Sequence, residues 1–140
     1  METSSLELIQ AWVQLSGILK NCRLTDQLTY NESIIMLQLY LANGEPISIK
    51  QITANTRILK SQVNRCINAL EEKGLLRRCD GEGDRRIGYV CSVSDRMDVF
   101  MQVHSTSMGI ADAVSTIIGP EDTQAFIRIA NKLTLSGYHL

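Results

Sequence analysis

The sequence predicts a mainly α protein with a small β-wing: a winged helix-turn-helix with helices before and after it. Three observations predict it. Between Ile47 and Lys73, two runs of apolar residues at helical spacing are separated by a short turn. Gly74 then closes the second run at a left-handed cap position, and a charged, glycine-rich hairpin follows it. The charge is also uneven. Residues 48–93 hold nine basic and five acidic side chains, a net +4, while the rest holds five basic and ten acidic, a net −5.

Helical spacing of Leu8, Trp12, Leu15, Leu19 and Cys22 predicts a first helix over Leu6–Cys22, close to a heptad seam. Its apolar stripe fits either the core of its own domain or a second subunit. Thr29-Tyr30-Asn31-Glu32 is a capping box that opens a second helix. Tyr30, Ile34, Leu37 and Leu41 are expected on its inner face, and Asn43-Gly44 near its end. Ile47 suits a short strand. Ser48-Ile49-Lys50-Gln51 is another capping box, and it starts a helix that runs to about Asn55 with Ile49 and Ile52 inward. Thr56–Leu59 make the turn.

The next helix spans Lys60–Lys73, with Leu59, Val63, Cys66, Ile67 and Leu70 as its buried stripe. Ser61, Arg65 and Asn68 fall on the opposite face, with Gln62 and Asn64 on the flanks. A plain solvated face is more often rich in Glu and Lys, which favour helix more than Ser or Asn do. Ser, Gln, Asn and Arg instead share the donors and acceptors that read base edges. Leu75–Arg78 and Arg86–Val93 read as the limbs of the hairpin, with Ile87, Tyr89, Cys91 and Val93 on one side. Arg85 and Arg86 lie beside its tip, suited either to a narrow minor groove or to pairing with Asp84. Ser94 caps a long helix with Met97, Phe100, Met101, His104, Met108, Ala111, Val114 and Ile118 on its inner side. Gly119-Pro120 breaks it, and a last helix carries Phe126, Ile129, Ala130 and Leu133.

The ordered set Ile47-Ser48-x-x-Gln51-Ile52, Val63-x-Arg65, Leu70-Glu71-x-x-Gly74-Leu75 and Asp84-Arg85-Arg86, with Leu28-Thr29 upstream and Ser94 at the next cap, resembles the MarR family of transcription regulators. The resemblance covers nearly the whole chain. It implies a homodimer interlocked through helix 1 and the last two helices. It implies a minor-groove arginine, Arg86 by position, oriented by Asp84, and major-groove reading by Lys60, Ser61, Gln62, Asn64 and Arg65. Members are usually repressors released by a small ligand or an oxidised cysteine. Two positions depart from the pattern. Arg57 stands where a turn glycine is common, which is tolerable if it avoids left-handed geometry. Leu59 stands where a Ser cap is common, which shifts the expected start of the recognition helix by a residue or two.

The chain is thus expected to divide into a DNA-binding region at 28–93 and a helical dimerisation region at 1–27 and 94–140. The expected function is sequence-specific binding of a pseudo-palindromic double-stranded operator by a homodimeric repressor. Arg57, Lys60, Lys73, Arg77 and Arg78 are expected to contact phosphates. Trp12, Tyr30, Met36 and His104 either line a small-molecule pocket or simply fill the core. The alternatives are a winged helix used only for protein contact and a thiol-based redox sensor, for which Cys22 and Cys79 read as more exposed than Cys66 and Cys91.

Other classes fit less well. The chain has 140 residues, 44% hydrophobic and 21% charged, as in an ordinary globular domain. No apolar run reaches the ~20 residues of a membrane span, and Met1-Glu2-Thr3-Ser4-Ser5 does not read as a secretion signal. A cytoplasmic location with reduced thiols is expected. Cys22, Cys66, Cys79 and Cys91 are 44, 13 and 12 residues apart, which does not fit a zinc cluster. No nucleophile–base pair, phosphate loop or paired carboxylates suggest an enzyme, and no cofactor is expected.

Overall fold

The computed structural model describes residues 2–21, 27–80 and 88–136. The order of elements is α1 (Glu2–Asn21), α2 (Tyr30–Leu41), β1 (Ile47–Ser48), α3 (Ile49–Thr56), α4 (Lys60–Glu72), β2 (Leu76–Cys79), β3 (Tyr89–Ser92), a 3-10 turn (Ser94–Arg96) and α5 (Met97–Thr134). The chain forms two compact units, 1–104 and 105–140. No helix of the described residues is long and apolar enough to cross a membrane.

In the first unit the caps of α2 and α3 fall where the sequence puts them, whereas Ser94, the expected cap of the long helix, opens the 3-10 turn that precedes α5. The Thr29 hydroxyl accepts from Glu32 N–H at 3.2 Å, and the Glu32 carboxylate accepts from Thr29 N–H at 3.0 Å, so α2 has a complete capping box. Ser48 accepts from Gln51 N–H at 2.9 Å and opens α3, but the expected capping box is only half made, because the Gln51 side chain turns to Asn55 instead. α4 begins at Lys60 although Leu59 supplies no side-chain cap, so the missing hydroxyl does not displace its start. At the other end, Gly74 N–H bonds Glu71 C=O at 2.9 Å and Leu75 N–H bonds Leu70 C=O at 3.0 Å. That is a Schellman closure, and it needs the left-handed φ of 73° that Gly74 adopts without a Cβ penalty.

Arg57 does not avoid left-handed geometry. It caps α3 at φ 60°, ψ 13°, so a bulky residue performs the turn that glycine would perform without strain.

The core gathers Ile35, Met36 and Leu39 of α2, Ile52 of α3, and Val63, Ile67 and Leu70 of α4. Leu28, Leu75, Leu76, Val90, Cys91, Val99, Phe100 and Val103 complete it. Three expected faces are corrected here. α2 buries Ile35, Met36 and Leu39 while Leu41 is 64% exposed, because a helix apolar on most sides gives its period no way to choose a face. Leu59 is 67% exposed, since it precedes the first helical turn and points away from the stripe. Met101 is exposed, and Val99, Phe100 and Val103 are the residues that α5 buries.

The sheet has three antiparallel strands in the order β1-β3-β2, with Ile47 opposite Val90, Arg78 opposite Val90 on the other edge, and Cys79 opposite Tyr89. One face carries Leu76, Arg78 and Val90. The other carries Arg77, Cys79, Tyr89 and Cys91. Leu76 and Val90 on the first face and Cys91 on the second are enclosed, while Arg77 and Arg78 are exposed. The cysteines are not all reduced: a disulfide joins Cys79 to Cys91 across the strands, with Cα atoms 6.3 Å apart. Free thiols were expected because a cytoplasmic location was expected; the hairpin register brings these two together.

α1 leaves Leu8, Trp12, Leu15 and Leu19 exposed, along with Ile9, Val13 and Ile18. In the second unit, Gly119 interrupts α5 at φ 87°, ψ 167°, before Pro120. Val114, Ile117, Phe126, Ile129 and Leu133 are exposed there.

Candidate nucleic-acid interface

α4 is a two-sided helix. Val63, Ile67 and Leu70 are fully enclosed, whereas Ser61, Gln62, Arg65 and Asn68 are exposed and Asn64 is half-buried. Its first turn holds no acidic residue, and no side chain caps its leading N–H groups. Those donors and the helix dipole favour an anion at this end. Lys60 is exposed there. It shares a cleft of about 640 Å³ with Ile49, Lys50, Thr53, Ala54, Asn64 and Gly88. The cleft is set by the α3–α4 angle and by Ile49 N–H, which donates to Gly88 C=O at 2.9 Å and ties α3 to the base of the wing.

Lys50 is the residue sequence reasoning left out. Its signal was its place in the first turn of α3, two residues after the Ser48 cap. Also missed was an amide ladder: Gln51 Nε2 donates to Asn55 Oδ1 at 2.7 Å, and Asn55 Nδ2 donates to Gln38 Oε1 at 3.0 Å, fixing exposed α3 side chains against α2.

Several residues selected as contacts have partners within the protein. Arg78 Nη2 donates to Asn68 Oδ1 at 2.6 Å, and its Nε lies 3.5 Å from Glu71 Oε1, so β2 is bound to the back half of α4. Lys73 Nζ pairs with Glu32 Oε1 at 2.9 Å. Arg77 and Arg57 are exposed, on β2 and at the α3–α4 turn. Asp84, Arg85 and Arg86 lie outside the described residues, as does Cys22.

The four pocket candidates do not share a cleft among those described. Trp12 is 53% exposed on α1, Met36 is fully enclosed in the core, and Tyr30 is half-buried at the start of α2. His104 stacks on Tyr40 with centroids 4.4 Å apart, and its Nδ1 is buried without a hydrogen-bond partner. Tyr40 lines a second cleft, about 570 Å³, with Leu39, Leu41, Asn43, Gly44, Ser92, Ser94, Phe100 and Met101. Cys66 is half-buried on α4; burial pushes its thiol pKa up, and the nearby Glu32 charge adds to the shift. A raised pKa means less thiolate and a less reactive sulfur.

No protein of curated function is significantly similar in sequence. Among solved structures, the chain is similar to the transcriptional regulator BldR from Sulfolobus solfataricus (23% identity, TM-score 0.76, 96% of each chain covered). It is also similar to a MarR family regulator from Streptomyces coelicolor solved in complex with DNA (14% identity, TM-score 0.82, 96% of this chain and 91% of that one). A third likeness is to an organohalide-sensing regulator in its 2,4-dichlorophenol-bound form (14% identity, TM-score 0.78, 98% and 82% covered). At these identities the likeness establishes the fold. The sequence profile of the MarR family matches residues 26–87, from the approach to α2 to just short of β3, so this segment of the chain is similar to the MarR family of transcriptional regulators.

Proposed function

We propose that the chain is a sequence-specific, double-stranded-DNA-binding transcriptional repressor that acts as a homodimer. The observation that carries this is the division of α4: a fully enclosed apolar stripe behind an exposed face of Ser61, Gln62 and Arg65, with Asn64 at its edge. In this reading that face enters the major groove, Lys50, Lys60 and Arg57 hold phosphates, and Arg85 and Arg86 serve the wing. The exposed apolar residues of α1 and of the second unit support a partner copy, since such residues are stable in water when a second surface covers them. Two α4 helices about 34 Å apart would then read a pseudo-palindromic site in a cytoplasmic setting. Release by a small apolar or aromatic molecule is supported by the 570 Å³ cleft beside Tyr40 and His104.

The test is selection of duplexes from a random pool, followed by a salt series. Each phosphate neutralised should steepen the log–log slope by about 0.9, so several contacts per subunit give a steep line. Binding that stays weak and flat with salt rejects the proposal and favours a winged helix used only for protein contact.

The Cys79–Cys91 bond supports a second reading, a thiol-based regulator. Hydrogen peroxide would take two electrons from the two thiols, leaving the disulfide and two molecules of water. Equal affinity of the peroxide-treated and reduced protein for the selected duplex would remove this reading.

A further inference from the structure

Glu32 is the anomaly of the first unit: a carboxylate in the first turn of α2 that is only 5% exposed. Its Oε1 accepts from Thr29 N–H at 3.0 Å and from Lys73 Nζ at 2.9 Å. Lys73 is the C-cap of α4. Its ammonium also donates to Gln27 C=O at 3.2 Å, and its own carbonyl accepts from Arg96 Nη1 at 3.4 Å. The far end of α4 is therefore held from two sides, by the segment entering α2 and by the turn entering α5.

We propose that Lys73 and Glu32 are positioning residues for the recognition helix, and that Lys73 is not a phosphate contact. The inference rests on the DNA-reading proposal above. The Glu32 carboxylate is enclosed while the Lys73 side chain is 41% exposed, so the pair contributes little net stability: the buried charge loses water and the exposed one is screened. What it does is penalise every other arrangement: a shift or rotation of α4 leaves the Glu32 charge enclosed and unpaired. Leverage makes this matter for reading. α4 has 13 residues, so it is about 20 Å long, and a tilt of roughly 10° about its Lys73 end moves the Lys60 end by about 3 Å. Base-edge hydrogen bonds tolerate about 0.5 Å.

The experiment compares Lys73→Met, Lys73→Arg and Glu32→Gln with the wild type. Glu32→Gln keeps the shape and the acceptor for Thr29, so it guards against a Lys73→Met that fails to fold. Binding is measured on a wild-type-selected inverted-repeat duplex and on a random duplex across a salt series. Amide exchange is followed at Lys73, Gly74 and Leu75. The expectation for Lys73→Met and Glu32→Gln is about a tenfold loss on the selected duplex, little change on the random one and an unaltered salt slope. Lys73→Arg should restore binding, and the three amides should exchange faster in the first two variants. A phosphate contact behaves differently. Lys73→Met would then lower affinity on both duplexes and flatten the slope by about 0.9 per subunit, while Glu32→Gln would bind as the wild type does; that result overturns the proposal. A wild type that selects no duplex defeats the DNA-reading proposal instead, and unchanged amide exchange would still sink the positioning role.

Discussion

The two kinds of helix in this chain stand in different relations to water. α4 encloses Val63, Ile67 and Leu70 completely against α2, α3 and the wing. α1 carries a comparable apolar stripe, Leu8, Trp12, Leu15 and Leu19, and encloses none of it. Both have the same periodicity, so the difference is not in the local code but in whether a covering surface exists within the subunit. For α4 it does. For α1 the described residues of its own unit supply none.

Truncation should expose that difference most strongly in the winged-helix core. Ile67→Ala should lower the unfolding free energy by about 3 kcal/mol, a transfer loss plus a cavity its fully enclosed site cannot collapse. Leu15→Glu on α1 should act on assembly instead, shifting sedimentation at micromolar concentration toward the single subunit while the first unit's core keeps its exchange protection. An Ile67→Ala cost under ~1 kcal/mol would break the comparison on one side. Unchanged sedimentation of Leu15→Glu would break it on the other.

The contrast also explains what the sequence could and could not reveal. Caps are local chemistry, so Thr29–Glu32, Ser48–Gln51 and Gly74 marked their helix ends to within a residue or two. α4 has a polar face as well as an apolar one, so its period identified both. α2 is apolar on most sides, and the expected face, Tyr30, Ile34, Leu37 and Leu41, missed the enclosed Ile35, Met36 and Leu39. Pairings that depend on tertiary geometry were not legible at all. Glu32 and Lys73 lie 41 residues apart and Asn68 and Arg78 ten apart, and no propensity links them. Cys79 and Cys91 meet only because β2 and β3 pair in one particular register. The exposed polar face of α4 was therefore readable, while the bonds that hold α4 in place were not.

A reading head closed around its own core can also hold a strained residue, which α1 has no internal packing to do. Arg57 sits at φ 60°, where a Cβ crowds the backbone at a cost of roughly 1–2 kcal/mol. Glycine adopts this geometry without that cost but loses more chain entropy on folding, about 0.5–1 kcal/mol. Arg57→Gly should therefore raise stability by no more than about 1.5 kcal/mol, seen as a small rise in the urea midpoint with an unchanged slope. If Arg57 holds a phosphate, the same variant should bind the selected duplex more weakly, with its salt slope flatter by about 0.9 per subunit. A more stable protein with weaker, less salt-sensitive binding would mean that the strain is retained for the charge it places at the α3–α4 turn. A less stable protein would mean that the Arg57 side chain stabilises the turn by more than its backbone strain costs.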